Sequence, residues 1–311
     1  MRYLTLITLL LATLVPEHPY GQTSHRKDSS QIRISYLGTA GWDITDGKTF
    51  ILIDPYLSRL RRNDVNKDDN RTVYGDSDFV ALDTLTIDKY IKKADFILVH
   101  HSHRDHIMDV PYIAKKTGAT VIGHESTANF LRASGVDDDK IITVKGGEDF
   151  DFGPFSLKVI PSLHSPLDNK RYFDSRVAPK DTKTPLRPID YVEGGSLAFL
   201  IRFKGYQIIT FGSMNYIEKE LEGLRPDIAI VGAAPSRTEI YHYADRLMKV
   251  LGYPKTVLPT HWDDYTVPYD YPQTEKLEQL KSFIAEIKKA SPKTEVIIPK
   301  YFVPLVFKPK K

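Results

Sequence analysis

Four side chains able to bind a divalent cation, His101, His103, Asp105 and His106, fall within the segment His100-His101-Ser102-His103-Arg104-Asp105-His106. The chain has only ten histidines in 311 residues, so this spacing is a concentrated donor set rather than a scatter of capping or surface residues. Side chains two apart in an extended segment point the same way, which aims His101 and His103 at one point. Asp105 and His106 come after a bend and face a neighbouring point, so one short segment can serve two ions. A catalytic zinc takes about three protein ligands and keeps a position open, so each point needs one more donor. His164 follows the apolar run Phe155 to Ile160, and His261 follows Thr256 to Leu258; both sit where a strand ends. The chemistry implied is hydrolysis, in which a metal lowers the pKa of water and polarises a carbonyl or phosphoryl oxygen. With no cysteine and no Gly-x-Ser-x-Gly elbow, the chain offers no obvious covalent nucleophile instead.

Elements that could hold this set are legible around it. The continuous apolar run Phe96 to Val99 reads as a strand leading straight into the histidines, at the carboxyl end where α/β proteins keep their ligand loops. Upstream, alternating runs at Ile32 to Leu37, Trp42 to Ile44 and Phe50 to Ile53 read as a β-meander. Downstream, helices at Val110 to Lys116 and Ser126 to Ala133 flank a strand at Thr120 to Ile122. The second half repeats the style, with strands at Phe155 to Ile160, Ser196 to Phe203, Gln207 to Phe211, Ile228 to Val231 and Thr256 to Leu258. Helices near Ile217 to Leu224, Tyr241 to Leu251 and Thr274 to Lys289 accompany them. This pattern predicts a layered α/β protein, two sheets inside helical layers, forming one domain over 31–311. Two irregular stretches interrupt it, Ser58 to Asp78 and Ser165 to Gly194. The second directly follows His164 and carries Arg171, Tyr172, Phe173, Arg187 and Tyr191, so it is read as a lid over substrate.

The His-x-His-x-Asp-His segment, the later His164 and His261, and Ile51-Leu52-Ile53-Asp54-Pro55 together resemble the metallo-β-lactamase superfamily over Ile32 to Tyr269. The segments Asp54 to Leu57 and Thr260-His261-Trp262-Asp263-Asp264 look most like the branch with ascorbate phosphate lactonases and the phospholipase D that cleaves N-acyl phosphatidylethanolamines. The resemblance implies a four-layer αββα sandwich with a dinuclear site at one edge. It implies zinc, one or two ions with manganese as an alternative, held by His101, His103 and His164 at one point and by Asp105, His106 and His261 at the other. Asp105 would also orient the attacking water, and Asp54 would support the metal segment from behind. One position departs from the family: Ser213, after Gly212, stands where a metal-bridging Asp is expected, and Asp264 is the candidate substitute ligand. Asp263, Asp264, Tyr172 and Tyr191 are the candidates for protonating a leaving group. The remaining histidines, His18, His25, His100, His124 and His242, are read as structural or as part of the leader. The function implied is hydrolysis of a lactone, ester or phosphodiester. The alternative, motivated by Ser213, is a metal-binding or ligand-binding protein of the same fold with little or no turnover.

Composition narrows the partners. With 43 basic and 40 acidic residues the formal charge is +3, and no basic stripe with interleaved aromatics is present, which argues against nucleic acid. A small-molecule or lipid-like substrate is expected. Met1 and Arg2 precede an apolar run, Leu4 to Val15, and then a polar stretch, the order of a secretory signal peptide. The run is shorter than the ~20 apolar residues that a membrane span requires. The reading is a signal peptide over 1–21, a linker over 22–30 and a periplasmic or secreted protein with no transmembrane domain after cleavage. Sequencing the amino terminus of exported protein should find a start beyond Val15, near Gly21 and Gln22; Met1 retained in a membrane fraction would refute this.

Overall fold

The structure, a computed structural model, describes residues 31–62, 68–167, 170–172 and 174–308. The predicted leader and linker, and the lid residue Phe173, lie outside the described residues. Strands β1 (Ile32–Gly38), β2 (Gly41–Thr45), β3 (Phe50–Ile53), β4 (Phe96–Leu98), β5 (Thr120–Gly123) and β6 (Ile141–Thr143) lie in one sheet. Strands β7 (Asp149–Asp151), β8 (Phe155–Ser162), β9 (Ser196–Phe203), β10 (Tyr206–Phe211), β11 (Ile228–Gly232), β12 (Thr256–Thr260) and β13 (Glu295–Val296) form the second. A last strand, β14 (Leu305–Phe307), returns to the first sheet and pairs with β1.

Each sheet is half meander and half crossover. β1, β2 and β3 are antiparallel, whereas β3, β4, β5 and β6 run parallel. In the second sheet β7 to β10 are antiparallel and β10 to β13 parallel. The parallel strands need crossovers, supplied largely by helices. On the first sheet these are α1 (Thr84–Tyr90), the single turn α2 (Arg104–Ile107), α3 (Val110–Thr117) and α4 (Glu125–Ala133); on the second, α5 (Glu218–Leu221), α6 (Tyr243–Val250) and α7 (Thr274–Ala290).

Alternation decides which residues fill which layer. On β2, Trp42 and Ile44 face the second sheet and join Phe199, Ile201 and Val257 in a shared core. Leu52, Ile97 and Val121 face outward and are covered by Ile87, Ile113 and Phe130 from the helices. β11 is buried along its whole length, as a central parallel strand covered on both faces must be. The result is the expected αββα sandwich. Helix α1 was not expected from sequence; Asp83 caps it by accepting from the Thr86 N–H at 2.9 Å. Among the described residues no helix is long and apolar enough to cross a membrane.

A buried ion pair joins distant parts of the chain. Arg59, 1% exposed, donates to the Asp263 carboxylate at 2.7 Å, to the Val267 carbonyl at 2.8 Å and to the Asp264 carbonyl, beneath the ring of Tyr269. Asp263 also accepts from the Tyr36 and Tyr301 hydroxyls, each at 2.7 Å, and from the Thr39 N–H at 2.9 Å. Gly38 must be glycine here: its φ is +93°, and a Cβ would lie 2.6 Å from the Arg59 guanidinium. A buried pair with every oxygen satisfied tolerates loss of neither partner, because the survivor is left charged and alone. Arg59→Met should therefore lower unfolding free energy by about 3–5 kcal/mol. Urea denaturation checks this, and a loss under about 1 kcal/mol would show the pair to be dispensable.

Candidate metal centre

The site is assembled where strands end. Parallel pairing of β3 with β4 places Asp54 beside the residue that follows β4, and the Asp54 N–H donates to the Leu98 carbonyl at 3.0 Å. Asp54 has φ +39° and is fully buried. One carboxylate oxygen accepts from the His100 backbone N–H at 2.9 Å; the other accepts from Nδ1 of both His100 and His106, at 2.6 Å each. Burial alone would raise the Asp54 pKa, but the two facing imidazoles and their hydrogen bonds hold it at about 2. An ionised carboxylate only accepts, so both rings must present Nδ1–H to it. His106 Nε2 then points away from Asp54 and toward Asp105, and these two carboxylates outweigh burial and raise the His106 pKa. His100 Nε2 lies 2.8 Å from the Thr210 hydroxyl, within hydrogen-bond distance.

Two groups of donors result. Nε2 of His101 and Nδ1 of His103 face each other at 3.1 Å, and the His164 ring stands edge-on to both. Asp105 Oδ2 lies 3.2 Å from Nε2 of His261 and 3.5 Å from Nε2 of His106. Within each triad the donor atoms lie within 4.8 Å of one another. Neighbouring ligands held tetrahedrally at zinc distances stand roughly 3.3–3.6 Å apart, so both sets fit a metal ion with little adjustment. Desolvation by burial and repulsion from neighbouring imidazoles push the His101 pKa well down, and likewise bring His103 to about 3 and His164 to about 4. All three are therefore neutral ligands at neutral pH. Burial opposes ionisation of Asp105, but His106, His261 and Arg104 outweigh it and keep the group a carboxylate. His261 is aimed by its φ of +55° and by its N–H donating to the Thr39 carbonyl, the turn that Asp263 holds from the other side.

A cavity of about 380 Å³ opens over both groups, with His103, Asp105, His164, Ser213, His261 and Tyr265 among its walls. Ser213 sits at the end of β10 beside the first triad. Its hydroxyl accepts from the Ser165 N–H at 2.9 Å and donates to the Ser165 hydroxyl at 3.2 Å. Gly212 lets this strand end pass close to His100, whose Cβ would lie 2.3 Å from an added Cβ.

Several sequence expectations need correction. Asp105 and His106 lie on the helical turn α2, not on a loop. Asp264 joins neither donor group: its carboxylate caps Thr266, at 2.9 Å to the N–H and 2.7 Å to the hydroxyl. Asp263 is no general acid, because Arg59 and its hydrogen bonds outweigh burial and hold it ionised. Tyr191 is neither lid nor proton donor; it is 8% exposed and packs against Phe130 in the outer core. The rest of that end of the segment is scaffold as well. The Ser102 hydroxyl and N–H donate to the Val192 and Glu193 carbonyls, and Arg187 binds Asp190. Arg171 and Tyr172 are exposed and absent from the cavity walls, to which the segment contributes Ser165 and Leu167. Sequence reasoning missed His100 and Thr210 as positioning groups, and Arg104 and Tyr265 as cavity residues. Tyr265 had a signal, its place four residues after His261; Thr210 had none, being 110 positions from its partner.

The comparisons agree with this geometry. A family model described as "Beta-lactamase superfamily domain" matches residues 33–261. A "UPF0173 metal-dependent hydrolase" of Carboxydothermus hydrogenoformans is 26% identical over 239 residues, covering 76% of this chain and 87% of that protein. A protein of the same description from Staphylococcus aureus is 29% identical over 135 residues, 43% of this chain and 48% of its own length. Among solved structures, the metallo hydrolase Igni18 of Ignicoccus hospitalis superposes with TM-score 0.57 at 17% identity, covering 90% of this chain and all of that one. CmlA, a diiron β-hydroxylase of Streptomyces venezuelae, superposes with TM-score 0.55 at 15% identity over 90% of this chain and 54% of its own.

Removing the Asp54 charge should release both Nδ1–H groups and let the His106 ring turn. Asp54→Asn is expected to weaken metal binding about 10- to 100-fold, read by titration against a chromophoric chelator. Unchanged affinity would mean that the ring is held by packing alone.

Proposed function

The chain belongs to the metallo-β-lactamase superfamily of metal-dependent hydrolases, and on that premise we propose that it is an exported zinc hydrolase acting on a lactone, ester or phosphodiester. The observation that carries this reading is the convergence of two three-donor groups on one wall of an open cavity. Bound there, a divalent ion supplies hydroxide near neutral pH and polarises the substrate oxygen.

The chain's own residues do the rest. His101, His103 and His164 form a set of three neutral imidazoles, and Asp105, His106 and His261 a set that includes a carboxylate. Asp105 faces the cavity and is placed to accept a hydrogen bond from attacking water while acting as a ligand. Tyr265 lies against His261, and the Asp105 charge together with burial raises its pKa. It stays protonated at neutral pH and can donate a hydrogen bond to the leaving-group oxygen. Of the candidates raised from sequence, Asp263 lines the cavity but is held ionised by Arg59, and Asp264, Tyr172 and Tyr191 are not among its walls.

Ser213 bears on stoichiometry. A bridging carboxylate would put a negative charge between two dications; a hydroxyl tied to Ser165 leaves their repulsion less neutralised. One ion should survive dialysis and the second should be lost, with activity rising on added zinc or manganese. Ser213→Asp should retain both ions. Metal analysis before and after dialysis, followed by turnover on lactones, esters and phosphodiesters with and without chelator, tests the whole reading. Two equally tight ions in the parent protein would refute the role given to Ser213. A fully loaded protein inert on every substrate would favour the ligand-binding alternative.

A further inference from the structure

Among the described residues, two cations in the cavity wall make no ion pair. Arg104 lies between the metal-segment residues His103 and Asp105, and Lys276 comes from the first turn of α7; both line the cavity. Among the described residues, Nε of Arg104 is buried without a hydrogen-bond partner, and neither side chain makes a hydrogen bond or ion pair. Two other buried arginines are paired: Arg59 holds Asp263, and Arg237 holds Glu286 and the Ser282 hydroxyl. A buried guanidinium donor with no acceptor is destabilising, so its retention beside the donor groups calls for a ligand.

The described acids near the cavity do not supply one. Asp263 is committed to Arg59, Tyr36, Thr39 and Tyr301. Asp105 attracts Arg104 through space, but its oxygen is taken by His261 and His106 and belongs to the donor group. The remaining walls include Leu167, Met214, Pro235 and Trp262, which offer apolar surface. A volume near 380 Å³ suits a small molecule rather than a chain segment.

We infer that the substrate carries, besides its scissile bond, an oxyanion of the carboxylate or phosphate type, and that Arg104, aided by Lys276, binds it at the cavity wall. The planar guanidinium fork matches both oxyanions in bidentate fashion, while the lysine adds a point charge. This rests on the hydrolase reading for the word substrate, but the binding site itself does not depend on turnover.

The test is calorimetric titration of the metal-loaded full chain with phenylphosphonate, benzoate and uncharged benzamide, with bound metal measured in the same samples. Both anions should bind at least about tenfold more tightly than benzamide, and Arg104→Gln should remove about tenfold or more of that affinity at unchanged metal content. Lys276→Met, in the first turn of α7, should remove a smaller part and serves if Arg104→Gln fails to fold. The tighter of the two anions identifies the oxyanion. Anion affinity within about twofold of the parent in Arg104→Gln, or in Lys276→Met should the first not fold, would overturn the inference, as would equal affinity for benzamide. Arg104-dependent anion binding in a protein that turns over no lactone, ester or phosphodiester would instead sink the hydrolase reading alone.

Discussion

One buried carboxylate sets the geometry of the metal-binding edge. Asp54 accepts three N–H groups, two from His100 and one from His106, with no exposure to water. In a low-dielectric setting each of these charge-assisted bonds is strong, and none can be exchanged for a water molecule. The orientation of both rings follows from that single acceptor. So does the direction of Nε2 on His106, and hence the point at which Asp105 and His261 meet it. His100 passes the same constraint on to Thr210 in the other sheet, so the first sheet's metal segment is tied to the strand that ends at Ser213.

A second clamp works on the opposite side. Arg59 and Asp263 lock the turn at Thr39, whose carbonyl accepts the His261 N–H. One clamp thus holds the ligands contributed by α2, and the other holds the ligand after β12. The two halves of the sandwich meet at the site through hydrogen bonds as well as through the apolar layer between the sheets. Positive φ at Asp54, Arg59, Thr39 and His261 marks where the backbone is bent to make these contacts. Such conformations are costly for residues with side chains and persist only where surrounding structure holds them.

Fold alone does not choose a reaction: the same architecture serves Igni18, a metallo hydrolase, and CmlA, a diiron hydroxylase. What distinguishes this chain lies in the cavity wall. The Ser213 hydroxyl lines the cavity with the donors, and Arg104 and Lys276 bring positive charge that, among the described residues, no carboxylate pairs with. Both features shift the site's electrostatics toward anions, which ties metal stoichiometry and substrate charge to one field.

Much of this was legible in the sequence because it is local. Donor types and their spacing at His101, His103, Asp105 and His106 are fixed within one turn of chain, and period-two apolar runs announce β1, β2 and β3. Strands β8 to β12 were likewise readable from continuous apolar runs, which also located His164 and His261 at strand ends. What the chain could not announce is any pairing made across long separation. His100 looked like a spare histidine because Thr210 lies in the other sheet. Asp263 and Asp264 looked interchangeable, since only Arg59, more than two hundred residues away, determines which one turns inward. Tyr191 looked like a lid residue because nothing nearby in sequence shows that Phe130 buries it. Local chemistry follows from covalent neighbours and backbone periodicity; the burial, tautomer and orientation of each side chain depend on partners that only folding brings within reach.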